Sequence, residues 1–251
     1  MSEATADLLL AVDGVTVDYS GFKALDGFSL TLGRRETRVV IGPNGAGKST
    51  LCDSIIGRVR PTAGRILLRG TDITNLPEHA IVGAGICRKF QAPGVLSSLT
   101  VEQNLALAAR RDRRWWKALG KGVTAAEQQA VDEVIAEIDL EPRRHDIAGT
   151  LSHGEKQWLE IGMVVATGAE LLLLDEPTAG MGPAETSRTA ALIHRLAATR
   201  SILVIDHDMS FVEQLGAQVT VMHQGRFLFQ GSIADVRADP KVAQVYLGSH
   251  A

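Results

Sequence analysis

The sequence lacks the features that mark several specialised classes of protein. Its 251 residues include two cysteines, Cys52 and Cys87, and neither lies near a cysteine or histidine at metal-ligand spacing. No apolar run approaches the roughly 20 residues that a membrane-spanning helix needs, and Glu3 and Asp7 stand where a secretory signal places lysine or arginine. These absences argue against a disulfide framework, a membrane span and a signal peptide, and they indicate a reducing compartment.

The sequence also lacks an excess of charge of either sign. Its 26 basic and 29 acidic residues give a net charge of −3, which offers no reason to expect a nucleic-acid partner. One local exception is the cluster from Arg110 to Lys117, which contains Trp115 and Trp116. It suits an exposed helical face, a docking surface for a membrane subunit or a lipid contact, and nucleic acid fits it least.

Apolar patterns predict an α/β fold. Alternating or continuous apolar runs predict strands at 8–19, 28–32, 38–41, 65–68, 171–174, 202–205, 219–222 and 226–229, the last two joined by a turn at Gln224-Gly225. The runs at 171–174 and 202–205 are typical of parallel strands buried on both faces. Helices are predicted at 49–56 and 185–197, and the block 100–166 has helical spacing throughout. We therefore expect an α/β core interrupted by a helical insertion.

Residues 42–49 form a glycine-rich loop between the strand at 38–41 and the helix at 49–56. The loop fits the phosphate-binding pattern GxxxxGK[ST], in which backbone N–H groups surround an anion, lysine attracts the β- and γ-phosphates and serine offers a hydroxyl to Mg²⁺. The alternative is a plain glycine turn. The predicted nucleotide-binding residues here are Gly42, Pro43, Asn44, Gly45, Ala46, Gly47, Lys48, Ser49 and Thr50.

Two acids follow the buried strand at 171–174. The carboxyl end of a strand next to the phosphate loop is where a second metal-binding group is needed. Asp175 is predicted to organise Mg²⁺ together with Ser49, and Glu176 to accept a proton from the attacking water. The alternative is a pair of solvated acids at a strand end.

These motifs, with three others in the same order, resemble the ATP-binding cassettes of ABC transporters along nearly the whole chain. Gln91 follows the phosphate loop, Leu151-Ser152-His153-Gly154-Glu155 resembles the family's LSGGQ signature, and His207 follows the strand at 202–205. The resemblance implies ATP and Mg²⁺ as cofactors. It implies that Gln91 senses Mg²⁺ and the lytic water, that His207 contacts the γ-phosphate and that Tyr19 stacks on adenine; alternatively, these are a loop glutamine, a strand-end histidine and a core aromatic.

The signature pentapeptide suits an anion site at a helix start. Ser152 can offer a hydroxyl and Gly154 a backbone N–H, with the helix dipole adding to the attraction. The resemblance implies that this anion is the γ-phosphate held by an opposite subunit. His153 and Glu155 depart from the usual glycine and glutamine but leave the Gly154 donor intact. The segment after Thr178 also departs, because Ala179-Gly180-Met181-Gly182 lacks the aspartate that crosses the family's dimer interface.

The resemblance implies a division of the chain into parts. Residues 1–90 and 167–236 are expected to form the nucleotide-binding core, a mixed sheet with an antiparallel β subdomain. Residues 91–166 are expected to form the helical signature subdomain, and 237–251 a C-terminal segment.

Within the family, residues 151–163 resemble one of the two ATPases of bacterial urea importers, which are relatives of the branched-chain amino-acid importers. This implies two transmembrane permease subunits, a second ATPase subunit, an indirect link to a periplasmic binding protein and a place on the cytoplasmic face of the inner membrane. Two other classes are alternatives: a soluble ABC ATPase acting on nucleic acid or ribosomes, which usually has tandem cassettes, a coiled-coil insertion or a basic tail, and a regulatory module without catalysis, against which Glu176 argues.

Overall fold

The computed structural model describes residues 7–89, 94–110 and 124–247. Ten strands, nine α-helices and two short 3-10 helices, Glu141–Arg143 and Ala148–Thr150, lie in these ranges. The strands are β1 Leu8–Tyr19, β2 Phe22–Gly33, β3 Thr37–Ile41, β4 Ala63–Leu68, β5 Thr71–Asp72, β6 Ile86–Arg88, β7 Leu171–Asp175, β8 Ser201–Ile205, β9 Gln218–His223 and β10 Arg226–Gly231. The helices are α1 Lys48–Ile55, α2 Glu78–Gly83, α3 Val101–Ala109, α4 Ala125–Glu137, α5 His153–Ala166, α6 Pro183–Ala197, α7 Met209–Leu215, α8 Ile233–Ala238 and α9 Pro240–Leu247.

The first sheet is antiparallel, with strand order β2-β1-β4-β5. Strand β2 begins at Phe22, six residues before the predicted start, because its first half pairs with β1 up to the contact of Tyr19 with Phe22. Lys23 and Asp26 interrupt the apolar alternation in this half, so the sequence pattern hides a strand that cross-strand pairing forms.

The second sheet is mixed, with strand order β10-β9-β3-β8-β7-β6. Strands β9, β3, β8, β7 and β6 are parallel neighbours, and β10 pairs antiparallel with β9. The turn between β9 and β10 confirms the predicted turn, since Gln224 and Gly225 both have positive φ, as a two-residue hairpin turn of this hand requires. Strand β6 was not predicted, because three residues are too few for a periodic pattern.

Each face of the second sheet is buried in a different core. Leu171 and Leu173 of β7 pack in one cluster with Leu51 of α1 and the first sheet. Leu172 and Leu174, which alternate with them, pack in the other cluster with α3, α4, α5 and α6. Because successive side chains of a strand point to opposite faces, one strand can contact both layers.

The predicted helix-rich block 100–166 contains α3, α4 and α5 in its described part. Each of these helices begins with a capping box, in which the side chains of Thr100, Thr124 and Ser152 accept the backbone N–H three residues later. The division of the chain into a core, a helical subdomain and a C-terminal segment stays a prediction. Gln91 and most of the cluster 110–117 lie outside the described residues.

Neither cysteine pairs with the other. Cys52 lies in α1 and Cys87 in β6, and both are buried. Burial raises the pKa of the Cys52 thiol to about 12, so this group stays protonated near neutral pH. Among the described residues, no helix combines the length and the apolar content needed to cross a membrane.

Candidate functional site

The glycine-rich loop lies between the carboxyl end of β3 and the start of α1, as predicted. Gly45 and Gly47 have φ of 79° and 101°, and Gly47 is the residue that precedes the first turn of α1. The ammonium of Lys48 donates to the carbonyl oxygens of Gly42 at 2.7 Å and Pro43 at 3.0 Å, and thus folds back over the loop. Ser49 is exposed in the same turn of α1. This arrangement offers a cation, a hydroxyl and a helix N-terminus to a phosphate group.

Burial affects the charge at the centre of this loop. It lowers the pKa of the Lys48 ammonium below its usual range, and the carboxylates of Glu176 and Asp175 oppose part of that effect. Both acids therefore act on Lys48 from the carboxyl end of β7, which β8 separates from β3. In such a partly buried setting the attraction between an ammonium and a phosphate is stronger than in bulk water, because the effective dielectric constant is lower.

The loop has a tight contact at Gly47, which predicts a difference in stability between two variants. A Cβ on Gly47 would lie 2.4 Å from the carbonyl oxygen of Ala24, whereas a Cβ on Gly45 would meet no described atom within 4 Å. We expect Gly45→Ala to destabilise the fold by about 1–2 kcal/mol through left-handed strain alone. Gly47→Ala adds the collision and should reach about 3 kcal/mol or more. Thermal unfolding measures both, and equal shifts in Tm would contradict the packing of Ala24 on the loop.

Asp175 is held at the end of β7 by a buried arginine. The guanidinium of Arg88 bonds Asp175 Oδ2 at 2.6 Å and Asp53 Oδ1 of α1 at 2.6 Å. The side chains of Arg88 and Asp175 are 6% and 2% exposed, so both charges are paired rather than solvated. One cation between two carboxylates leaves a net negative charge beside the phosphate loop. Together with the hydroxyl of Ser49, this carboxylate is the hard oxygen donor type that Mg²⁺ prefers.

Glu176 and His207 lie together at the carboxyl ends of neighbouring strands β7 and β8. Nδ1 of His207 is 3.5 Å from Oε1 of Glu176, and both side chains are partly or largely exposed. Glu176 has φ of 45°, an uncommon value for a residue other than glycine, while its N–H donates to the Ile205 carbonyl at 2.8 Å. This turn directs the Glu176 carboxylate out of the strand, where it can accept a proton from a water molecule.

The buried carboxylate of Asp206 holds the backbone at His207 through hydrogen bonds. Asp206 accepts the hydroxyl of Thr178 at 2.8 Å and the backbone N–H groups of His207 and Asp208 at 2.7 and 3.0 Å. Asp206 is 2% exposed, so these three bonds fix the backbone on both sides of the strand ends.

A cavity of about 560 Å³ opens beside the phosphate loop. It is lined by Pro43, Asn44, Gly45, Ala46, His223, Gln224, Gln244 and Val245. Tyr19 is not among these lining residues. It lies exposed at the end of β1, opposite Phe22 in the hairpin, and β2 brings this hairpin against the loop at the Ala24–Gly47 contact. Tyr19 is therefore not a core aromatic, and its exposed ring is accessible for stacking by another flat ring.

The signature pentapeptide forms the start of α5. Ser152 is exposed at the N-cap, where its hydroxyl oxygen accepts the N–H of Glu155 at 3.2 Å and its own N–H donates to the Glu155 carboxylate at 2.8 Å. Glu155 thus serves as the capping-box partner of Ser152. Gly154 is buried against Glu185, since a Cβ there would lie 2.4 Å from Oε1 of that residue.

Two of the departures from the family pattern, His153 and the segment 179–182, touch each other. Nε2 of His153 lies 2.9 Å from the carbonyl oxygen of Ala179, and a Cβ on Gly180 would lie 3.2 Å from the same nitrogen. Gly180, with φ of 74°, therefore leaves room for the imidazole that replaces the usual signature glycine.

The structure brings one group of the predicted residues together and leaves another apart. The loop residues, Asp175, Glu176 and His207 lie at the carboxyl ends of the adjacent parallel strands β3, β8 and β7. In the described part of the chain, no hydrogen bond joins Ser152 or Gly154 to the phosphate loop. Arg88, Asp53, Thr178 and Asp206 were missed by sequence reasoning. A charged residue directly after the apolar pair Ile86-Cys87 is the signal that could have pointed to Arg88.

Comparisons with known proteins agree with this geometry. Residues 25–179 match the protein family described as ABC transporter. The high-affinity branched-chain amino acid transport ATP-binding protein BraF of Pseudomonas aeruginosa is 34% identical over 249 residues, covering 96% of this chain and 98% of that protein. LivG of Escherichia coli K12, named as the same kind of protein, is also 34% identical, with the same coverage of 96% and 98%.

Solved structures show the same fold. A nucleotide-free ATP-binding cassette from an ABC transporter matches with a TM-score of 0.85 and 28% identity, covering 95% of this chain and 98% of that one. A cassette in its ADP conformation matches with the same TM-score and identity, covering 96% and 99%. The predicted α/β cassette fold is thus confirmed. The chain belongs to the ABC transporter family, as one of its ATP-binding cassettes, and is an ATPase.

Proposed function

We propose that this chain is the ATP-hydrolysing subunit that powers an ABC importer. The proposal rests on the position of the Lys48 loop, Asp175 and the Glu176–His207 pair, which lie together at the carboxyl ends of β3, β7 and β8. Ser152 lies at the start of α5 and, among the described residues, is not bonded to this group. Such a chain holds the catalytic half of one ATP site and contributes its signature pentapeptide to the ATP site of a second cassette. Relatives named as branched-chain amino acid transport ATP-binding proteins support transport as the task.

In the proposed mechanism, the loop residues from Gly42 to Thr50 bind the phosphates of ATP, and Lys48 neutralises charge that develops during transfer. Ser49 and Asp175 would hold Mg²⁺, with Gln91 as a further ligand on the strength of the resemblance. When bound, the metal supplies positive charge to the β- and γ-phosphate oxygens. Tyr19 stacks on adenine through its exposed ring.

The hydrolytic step belongs to Glu176 and His207. Glu176 accepts a proton from the attacking water, and His207, 3.5 Å away, donates a hydrogen bond to the γ-phosphate and orients the carboxylate. Asp206 holds the backbone of His207 in place for that contact. The exposure of both side chains leaves room for water and nucleotide in the same opening.

Two cassettes are needed to complete each site. Ser152 and the N–H of Gly154 from one copy contact the γ-phosphate bound to the other, and closure of the pair drives the transport step. We propose a second, different ATPase as the physiological partner, two transmembrane permease subunits, an indirect link to a periplasmic binding protein and a peripheral position on the cytoplasmic face of the inner membrane. Nucleic acid has no part in this function.

The transported solute is a finer proposal. The names of the relatives favour a branched-chain amino acid. The signature departures His153 and Glu155, followed by Lys156-Gln157-Trp158, favour urea through their resemblance to urea-importer ATPases. We propose urea. The contacts of His153 with Ala179 and of Glu155 with Ser152 give both departures a structural place in this chain.

Vesicle transport tests both parts of this proposal. The chain is co-expressed with the second ATPase and two permeases, extracted in detergent and reconstituted with the binding protein. Phosphate release and ATP-dependent uptake of labelled urea, but not of labelled leucine, are expected. Leucine uptake would overturn urea and retain the importer, whereas phosphate release by a chain that never co-purifies with permeases would favour a soluble ABC ATPase.

A further inference from the structure

Two adjacent charged residues at the end of β6 point to opposite faces of the sheet. Arg88 lies on the face of α1, where it bonds Asp53 and Asp175. Lys89 lies on the face of α5, and its backbone N–H continues the strand by donating to the Leu173 carbonyl at 2.9 Å. Both residues are nearly fully buried, at 6% and 4% exposed.

The partners of Lys89 are both on α5, the helix that begins with the signature pentapeptide. Its ammonium bonds the side-chain oxygen of Gln157 and lies 3.6 Å from Oε2 of Glu160. Glu160 is 15% exposed, so the pair lies away from bulk water. Burial lowers the pKa of Lys89 and raises that of Glu160, while their mutual attraction opposes both effects.

A buried ion pair of this kind is a poor means of stabilising a fold. Desolvation of both charges offsets most of their attraction, and well-packed apolar residues often stabilise the same site as well or better. The ion pair differs from an apolar contact because it depends on geometry. An ammonium that must reach two oxygens on α5 allows only one position of the helix relative to the strand. The apolar side chains of Leu159 and Ile161 on α5 impose no such restriction.

Other directional contacts of α5 reach the segment just before it, where Arg143 bonds Glu155 and Lys156 bonds the Gly149 carbonyl, and the α6 side. Nε1 of Trp158 donates to the hydroxyl of Thr189 at 2.9 Å, and His153 bonds the Ala179 carbonyl. Within the described ranges, the polar side-chain contacts between α5 and the end of the edge strand β6 are those of Lys89. Since the preceding residue, Arg88, bonds Asp175 on the opposite face, one short strand connects the metal-binding acid with the helix that Ser152 caps.

We propose that Lys89 is a positioning residue for the composite ATP site. Its bonds to Gln157 and Glu160 fix α5, which begins with the signature pentapeptide, to the edge strand β6, and Arg88 on the other face of β6 holds Asp175. The proposal rests on the proposed function, in which Ser152 acts on nucleotide held by the opposite cassette. Lys89 touches no nucleotide. It sets the position from which Ser152 and Gly154 are presented.

The test uses the full chain in its assembled ATPase pair. Lys89→Met removes the charge and keeps the length of the side chain. We expect phosphate release to fall about tenfold or more, because small misplacements of a catalytic group have effects of this size. Binding of a fluorescent ATP analogue by the isolated chain should stay within about twofold, since no loop residue is changed. Arg195→Met is the matched control: it removes an exposed ion pair with Asp139, between α6 and the end of α4.

A double variant separates positioning from stability. Lys89→Met with Glu160→Met replaces the pair by apolar side chains, which should restore the Tm lost in the single variant. We expect phosphate release to stay low in this double variant. Recovery of phosphate release together with Tm, or phosphate release by Lys89→Met equal to that of Arg195→Met, would overturn the positioning role. A wild-type pair that releases no phosphate would instead refute the proposed function.

Discussion

Glu176→Gln should retain ATP binding and lose turnover by roughly 10²-fold or more, the range expected when a general base is removed. The substitution keeps the size of the side chain but takes away the carboxylate that faces His207 at 3.5 Å. Asp175 and its bonds to Arg88 are unaffected, so the metal-binding acid keeps its place. Steady-state phosphate release measures turnover, and a fluorescent ATP analogue measures binding.

Glu170→Gln provides the matched control for this experiment. Glu170 immediately precedes β7, at the opposite end of the strand from Glu176, and pairs with Arg34 and Arg69 at the surface. Its loss should change turnover by less than about twofold, because exposed ion pairs contribute little. Unchanged phosphate release in Glu176→Gln would remove Glu176 from the mechanism, and release lowered equally in both variants would point to a general effect on β7.

Ser152→Arg should leave nucleotide binding by the isolated subunit intact and reduce hydrolysis by the assembled pair by roughly 10²-fold or more, the loss expected when a hydrogen-bond donor to a developing charge is removed. Ser152 is exposed at the start of α5 and caps its own helix. An arginine there places a bulky side chain where the opposite cassette must approach.

Ser232→Arg is the matched control, because Ser232 is an exposed capping-box serine at the start of α8. Each substitution removes one helix cap, a loss of about 1 kcal/mol in the free energy of unfolding. Only the change at Ser152 should affect hydrolysis. If Ser152→Arg abolished nucleotide binding by the isolated subunit, the assignment of Ser152 to the opposite site would be wrong.

Much of the candidate site is readable from the sequence because its parts are contiguous. The loop at 42–49 and the pair Asp175-Glu176 each present their chemistry within a few residues, next to strands with clear apolar patterns. The turn at Gln224-Gly225 is equally local, and its positive φ values confirm it. Gln91 and the cluster from Arg110 to Lys117 remain predictions from sequence alone.

Other parts of the fold escape the pattern for physical reasons. Strand β6 has three residues, too few to show a period, and the first half of β2 carries Lys23 and Asp26 between its apolar positions. Pairing with a neighbouring strand creates both elements. In the sequence, His153 and Gly180 are two unconnected departures from the family pattern. In the folded chain the imidazole of His153 lies against Gly180.

The sequence by itself determined the phosphate loop and the acids that follow β7, because these depend on neighbours along the chain, and the order of its motifs indicated the cassette fold through a family resemblance. Tertiary structure alone decided which groups the buried charges meet. Arg88 is 87 residues from Asp175, and Lys89 is 68 residues from Gln157. The pairing of β6 with β7 and the packing of α5 on the sheet determine these partners, since a charge removed from water must find a hydrogen-bond acceptor or an opposite charge in the same buried layer.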